Sequence, residues 1–315
     1  MTIKHSLFNL KIAFVLVLVY SNLSWAQDRF PQFKNKLDQT LSNDSLFLER
    51  KNKTLTSLKE KLHTTRSNQE RYPVLERIYE EYKSFQSDSA LVYAEKSKIS
   101  AAKNHNSTQL IRAQLNYASI LGTLGRYDDA LSSLNELERN VKESLKGEFY
   151  WTKRIIYGGL TEYGNSKAEK TKYNQLGDHY RDLAIANLSK NSTEYTVALA
   201  GQLFSKRKYT SALRLLLVAF DKIGKTDSNR AVIAYLISEN YRLLNNNAQE
   251  KKWLALSAIS DLELVKKENI SLRKLAYILY EEGEIESAYE YTKRSLDDAV
   301  FCNSKLRTYE ISKML

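Results

Sequence analysis

Leu124-Gly125-Arg126-Tyr127-Asp128-Asp129-Ala130 is the stretch that decides the fold, because it returns as Glu282-Gly283-Glu284-Ile285-Glu286-Ser287-Ala288. Looser copies are Phe85-Gln86-Ser87-Asp88-Ser89-Ala90 and Lys208-Tyr209-Thr210-Ser211-Ala212. A degenerate copy is Asn246-Asn247-Ala248-Gln249-Glu250-Lys251, where lysine stands in the place of alanine. The key positions are 90, 130, 212, 251 and 288, in steps of 40, 82, 39 and 37. The long step holds two periods, so one unit near residues 146–190 has lost the signature. Each part of the pattern has a physical task. Glycine lets the chain leave one helix and turn tightly. The aromatic or apolar residue three before the alanine packs at the start of the next helix. The alanine stays small because two helices approach closely there.

The flanking residues agree. Ala113, Tyr117, Ile120 and Leu124 lie on one helical face, and Ala130, Leu134, Leu137 and Val141 do the same after the turn. Ala212, Leu216, Ala219 and Ile223, and Leu272, Leu275, Ala276 and Leu279, mark two further helices. The spacing predicts helix pairs 71–84 with 87–103, 108–124 with 127–142, 147–162 with 171–189, 193–206 with 209–223, 229–244 with 248–266, and 270–282 with 285–301. Asp88, Asp128 and Ser228 fall where N-caps or first-turn residues belong. A hairpin apolar on more than one side must stack on its neighbours. The expected fold is all-α, a tetratricopeptide (TPR)-like α-solenoid forming a right-handed superhelix of antiparallel helix hairpins. Its period is a little longer than the roughly 34 residues of the standard repeat. Its structural repeat positions are Ala90, Gly125, Tyr127, Ala130, Tyr209, Ala212, Gly283 and Ala288.

Composition supports long helices: 43% hydrophobic and 27% charged residues, but only 2 prolines and 10 glycines to supply turns. Three domains are expected: a signal peptide at 1–26, an N-terminal helical capping segment at 27–66, and the repeat array at 67–315. Lys4 and Lys11 precede the apolar run Ile12–Tyr20, and Ser24-Trp25-Ala26 offers a cleavage site after Ala26. That run is too short for a membrane span, which needs about 20 residues. The expected location is therefore the periplasm. Asp44 to Leu62 reads as a basic helix with the thin stripe Leu48, Leu55, Leu58 and Leu62, suited to capping the open end of the array or to pairing with a partner helix.

The net charge of +11 gathers in runs such as Lys206-Arg207-Lys208 and Lys266-Lys267. Acidic residues interspersed at helical spacing, as in Lys59-Glu60-Lys61, mark solvated helix faces, and no nucleic acid partner is expected for this segment. The single cysteine, Cys302, rules out an intramolecular disulfide and reads as a buried filler. His63, His105 and His179 lack ligand spacing, so neither a metal nor another cofactor is expected. No phosphate loop or hydrolase motif is present, and Glu80-Glu81 and Glu281-Glu282 read as solvated helix ends rather than acid–base pairs. A binding protein is expected, not an enzyme. Tyrosine is abundant, 21 in all, and its apolar body with a polar tip suits a groove. The candidate groove residues, on first helices of the pairs, are Tyr79, Tyr82, Arg112, Asn116, Tyr117, Tyr235 and Tyr280.

Three stretches carry a resemblance. They are Glu80-Glu81-Tyr82-Lys83-Ser84-Phe85-Gln86-Ser87-Asp88-Ser89-Ala90, Ile278-Leu279-Tyr280-Glu281-Glu282-Gly283, and Leu306-Arg307-Thr308-Tyr309-Glu310-Ile311-Ser312. With the helix Glu49 to Leu62, they resemble the TPR-containing family from Bacteroidota known as domain of unknown function 6377, whose members are described as transcriptional regulators. The resemblance covers nearly all of residues 30–315. It implies an exported helical sensor or adaptor that binds a protein, peptide or small ligand in its concave groove, linked to the membrane through a C-terminal extension beyond Leu315. It supplies no catalytic residues. The alternative is an envelope assembly scaffold with no signalling role.

Overall fold

The structure, a computed structural model, describes residues 30–312. The expected signal peptide lies outside those residues. Among them are fifteen α-helices and no strand. They are α1 (Phe30–Ser42), α2 (Asp44–Thr64), α3 (Asn68–Tyr82), α4 (Ser87–Lys103), α5 (Ser107–Thr123), α6 (Tyr127–Glu138), α7 (Lys146–Tyr163), α8 (Lys167–Asn187), α9 (Thr193–Ser205), α10 (Tyr209–Lys222), α11 (Arg230–Leu243), α12 (Asn247–Glu263), α13 (Ile270–Glu281), α14 (Ile285–Cys302) and α15 (Lys305–Ser312). From α3 to α14 they form the six expected hairpins, including the unit that lost its signature. That unit turns at Gly164 and opens α8 with a reciprocal cap between Ser166 and Glu169.

The turn inside a hairpin has a repeated backbone. Gly125, Arg207, Asn245 and Gly283 have φ of 76°, 58°, 55° and 85°. The next helix begins two residues later, and the N–H five residues later bonds the carbonyl four before it. Ala130 bonds Arg126, Ala212 bonds Lys208, and Ala288 bonds Glu284. These alanines are 0%, 0% and 4% exposed, as close helix approach requires. The same geometry corrects the degenerate copy. Glu250, not Lys251, bonds Asn246 and occupies the alanine position. Ala212, Glu250 and Ala288 are then evenly spaced by 38 residues. The reason is that Asn245 takes the left-handed turn, which asparagine tolerates, while the Asn246 side chain caps the Gln249 N–H. Lys251 instead reaches Glu282 at 2.9 Å and lies over the Phe30 ring. Ser228 makes no side-chain cap on α11; the Asp227 carboxylate accepts from the Asn229 N–H in its stead.

Neighbouring hairpins stack with the second helix of one against the first helix of the next, as α4 against α5 and α10 against α11, and the first two hairpins are also tied through their first helices. The Tyr72 and Tyr79 hydroxyls on α3 donate to the Gln109 and Asn116 carbonyls on α5, each at 3.0 Å and each 37 residues on. Buried leucine, isoleucine and alanine side chains fill the layers between them.

The ends of the array meet. The Lys267 N–H donates to the Ser84 carbonyl at 2.7 Å, Phe85 packs on Phe301 with centroids 5.3 Å apart, and Val265 joins the core around Ile78 and Tyr79. Lys267, Asp298, Arg294 and Asp44 form a buried to half-buried ion cluster, with Lys267 Nζ 2.8 Å from Asp298 and Arg294 2.7 Å from Asp44. The first hairpin is thus seated on the last repeats. Helix α2 lies along α3, with Leu55 and Leu62 among Val74, Leu75 and Ile78. Helix α1, unforeseen in the sequence, packs far along the chain on α12, where Phe30 and Leu37 sit among Leu254, Ala258 and Leu272 and Tyr291 donates to Asp38 at 2.5 Å. Its stripe Phe30, Phe33, Leu37 and Leu41 was the available signal. Helix α15 returns to the middle of the array, stacking Tyr309 on Tyr163 at 5.1 Å. Among the described residues no helix is long and apolar enough to cross a membrane.

Candidate functional site

Because the array curves until its ends touch, its first helices surround an inner hollow. One part is a cavity of about 720 Å³, walled by α5 and α7 on one side and by α11, α13 and α15 on the other. A second hollow of about 510 Å³ lies between α3, α5, α7 and the start of α9. Ser119 and Trp151 line both, so the two are parts of one groove.

The structure divides the candidate groove residues. Arg112 and Asn116 line the smaller hollow and Tyr235 lines the larger one. Arg112 reaches Glu148 at 3.2 Å, linking α5 to α7. Tyr79 and Tyr82 are corrected: they are buried, 3% and 6% exposed, inside the first hairpin. Their places on α3 fall on the stripe facing α2, α4 and α5, while Glu76 and Glu80 face the hollow. Tyr117 packs partly buried between two core layers, under the Lys98 ammonium at 3.8 Å. Tyr280 is 59% exposed and forms no part of either hollow. One stripe of a first helix serves the core and another serves the groove, and tyrosine suits both.

Charge reverses along the groove. The smaller hollow holds Glu76, Glu80, Glu148 and Glu194 against Arg112. The larger one holds Arg154, Lys170, Arg273, Lys274 and Arg307 against Glu162 and Glu268. Burial raises the Glu76 carboxyl above its usual range, opposed by the Tyr72 hydroxyl, which shares its one proton between Glu76 and the Gln109 carbonyl. Burial works against the charge of Lys274, but Tyr235 and Glu239 outweigh it, and the ammonium lies 2.7 Å from Glu239. Burial lowers the Arg154 pKa, with the neighbouring Arg181 guanidinium acting in the same direction.

Trp151 and Arg154 escaped the sequence reading. The signal was Gly158-Gly159 in the middle of α7, where glycine costs about 1 kcal/mol relative to alanine. A Cβ at Gly158 would fall 2.6 Å from the Arg154 Nη1, and one at Gly159 would fall 2.7 Å from the Tyr127 hydroxyl oxygen. Both glycines make room for side chains at the cavity wall.

The paired carboxylates are engaged in ion pairs, Glu81 with Lys51 at 2.7 Å and Glu282 with Lys251 at 2.9 Å. Cys302 is fully buried, and burial pushes its thiol up to about 12. Among the described residues no group of His, Cys, Asp and Glu is placed to hold a metal ion.

The protein is a TPR-like helical-repeat module, an architecture that builds extended concave binding surfaces. A family model described as the SusR N-terminal TPR domain matches residues 41–313. No curated protein matches the chain.

Proposed function

The chain belongs to the family of the SusR N-terminal TPR domain, and from that premise we propose that it is the exported sensor or adaptor part of a membrane-linked transcriptional regulator. It holds a protein segment, peptide or small ligand in its inner groove. The carrying observation is the groove itself: walls drawn from distant repeats, α5 and α7 facing α11, α13 and α15, around about 720 Å³. An occupant touching both walls stabilises one relative setting of the repeats, because a ligand shifts an equilibrium by its differential affinity for the two states. Export to the periplasm rests on the layout of residues 1–26, and regulator membership on the resemblance of the three quoted stretches. A membrane link would come through a C-terminal extension.

Exposed Tyr277, Tyr280, Ile285 and Tyr289 near the α13–α14 turn favour the scaffold reading, since a permanent partner would cover such side chains. In-cell photocrosslinking separates the two. A crosslinking amino acid at Asn116 should capture the groove's occupant, and one at Tyr280 should capture nothing stoichiometric. Stoichiometric capture at Tyr280 with none at Asn116 would replace the sensor reading by the scaffold.

A further inference from the structure

The reversal of charge along the groove, together with one uncommitted guanidinium, says more about the occupant. Arg154 projects from α7 into the larger cavity and makes no hydrogen bond or ion pair with the described residues, in contrast to Arg181 beside it, which reaches Asp178 at 2.7 Å. Room for it comes from Gly158 on its own helix, where an added Cβ would fall 2.6 Å from the Arg154 Nη1, while the side chain passes Gly177 of α8 at ordinary contact distance. Burial disfavours its charge and the nearby Asp178 carboxylate offsets that only in part, so an anion entering the cavity meets a guanidinium that has made no ion pair. One turn away, Trp151 lines the same cavity and makes no ring contact with another side chain. It is half-buried between the two hollows that it lines.

We infer that the larger cavity seats a small anionic ligand, its carboxylate or phosphate on the Arg154 guanidinium and a ring or planar body against Trp151. This rests on the groove reading above and adds the ligand's chemistry to it. A guanidinium presents a planar fork of N–H donors that matches a carboxylate or phosphate with two parallel hydrogen bonds. With Lys274 paired to Glu239, Arg154, Lys170, Arg273 and Arg307 still outnumber Glu162 and Glu268 on the same walls, which raises the local concentration of anions. The acidic hollow beyond Trp151 fixes the direction: a ligand's negative end faces α13 and α15, and any positive end faces Glu76 and Glu80.

Tryptophan fluorescence of the full chain reads the site. Of the three tryptophans, Trp253 is buried against Phe220 and Trp25 is changed to phenylalanine in the parent protein for this test, so a ligand in the groove acts on Trp151. The probes are 3-phenylpropionate, phenyl phosphate and the neutral 3-phenylpropionamide. The expected result is a saturable change with at least one anion, about tenfold or more weaker binding of the amide, and weakening by salt. Arg154→Gln should abolish the preference for the anion, Arg154→Lys should retain part of it, and both variants should melt near the parent temperature. Trp151→Phe should remove the fluorescence change while calorimetry still detects binding. The stronger of the two anions identifies the head group. Equal binding of acid and amide, an unchanged preference in Arg154→Gln, or no saturable response to any probe would overturn the inference. Equal binding would leave the groove reading standing, and that reading fails only by the crosslinking result.

Discussion

Ser87 and Cys302 touch: the Ser87 Oγ lies 3.5 Å from the Cys302 Sγ, although 215 residues separate them. Ser87 opens the second helix of the first hairpin and Cys302 closes the last long helix, so this contact marks where the array returns to its beginning. Asp88 and Asn303 beside them are joined at 3.0 Å. Closure of this kind turns a curved rod into a walled groove.

Cys302 reports on that closure. It is fully buried and its thiol pKa is pushed up to about 12, so the thiolate that reacts with labelling reagents is scarce. The native protein should resist an alkylating reagent at about pH 8, where an ordinary cysteine reacts readily. Phe85→Ala removes the ring packed on Phe301, at a cost of about 3 kcal/mol. It should speed alkylation well before global unfolding, as followed by mass spectrometry.

The hairpin turns carry a backbone prediction. Gly283 has φ of 85° with open space around a new Cβ, so Gly283→Ala tests conformation alone and should destabilise by about 1 kcal/mol. Arg207 holds a similar turn at φ of 58°. Arg207→Gly should stabilise by up to about 1 kcal/mol. Urea denaturation of both variants checks the pair of opposite signs.

Ala130 should not tolerate enlargement. It is fully buried at the crossing of α5 and α6, and Ala130→Leu should destabilise by about 1–3 kcal/mol through overpacking. Ala248→Leu, at a site on α12 exposed to solvent, should be near neutral in the same thermal melt.

Glu250 supplies a pH prediction. Burial raises its carboxyl above the ordinary value, with Glu239 adding to the effect. The unfolded chain then loses its proton first as pH rises, and the folded state is penalised from there upward. Glu250→Ala restores the alanine of the other repeats. It should be more stable than the parent at neutral pH, and the advantage should shrink as pH falls below the carboxylate range. Melting curves across that range decide it.

Much of this architecture was legible because it is local. Gly125 and Gly283, the alanines five residues on, and the 3.6-residue stripes of α5 and α13 each reflect contacts within one hairpin. Closure was not legible, because Ser87 and Cys302, or Lys267 and Ser84, carry no mark in the sequence of being neighbours. The register error at Lys251 arose because Asn245 performs a glycine's turn without being one. Of the candidate groove residues, Arg112, Asn116 and Tyr235 line the hollows, as the reasoning that first helices face inward expects. Tyr79 and Tyr82 were misplaced because period alone gives a helix's faces but not which one meets solvent. Arg154 was missed because Gly158 marks a close approach without saying which side chain makes it.

The most direct test of the closed array is a disulfide. Ser87→Cys places a second thiol beside the native Cys302, at a contact that exists only if the first hairpin is seated on the last repeats. Mild oxidation of the folded variant, read on a non-reducing gel and by mass spectrometry of the linked peptides, should give a rapid intramolecular bond between positions 87 and 302 in monomeric protein. Two thiols that stay free in the folded protein, or that pair only between molecules, would contradict the closed array and the walled groove that depends on it.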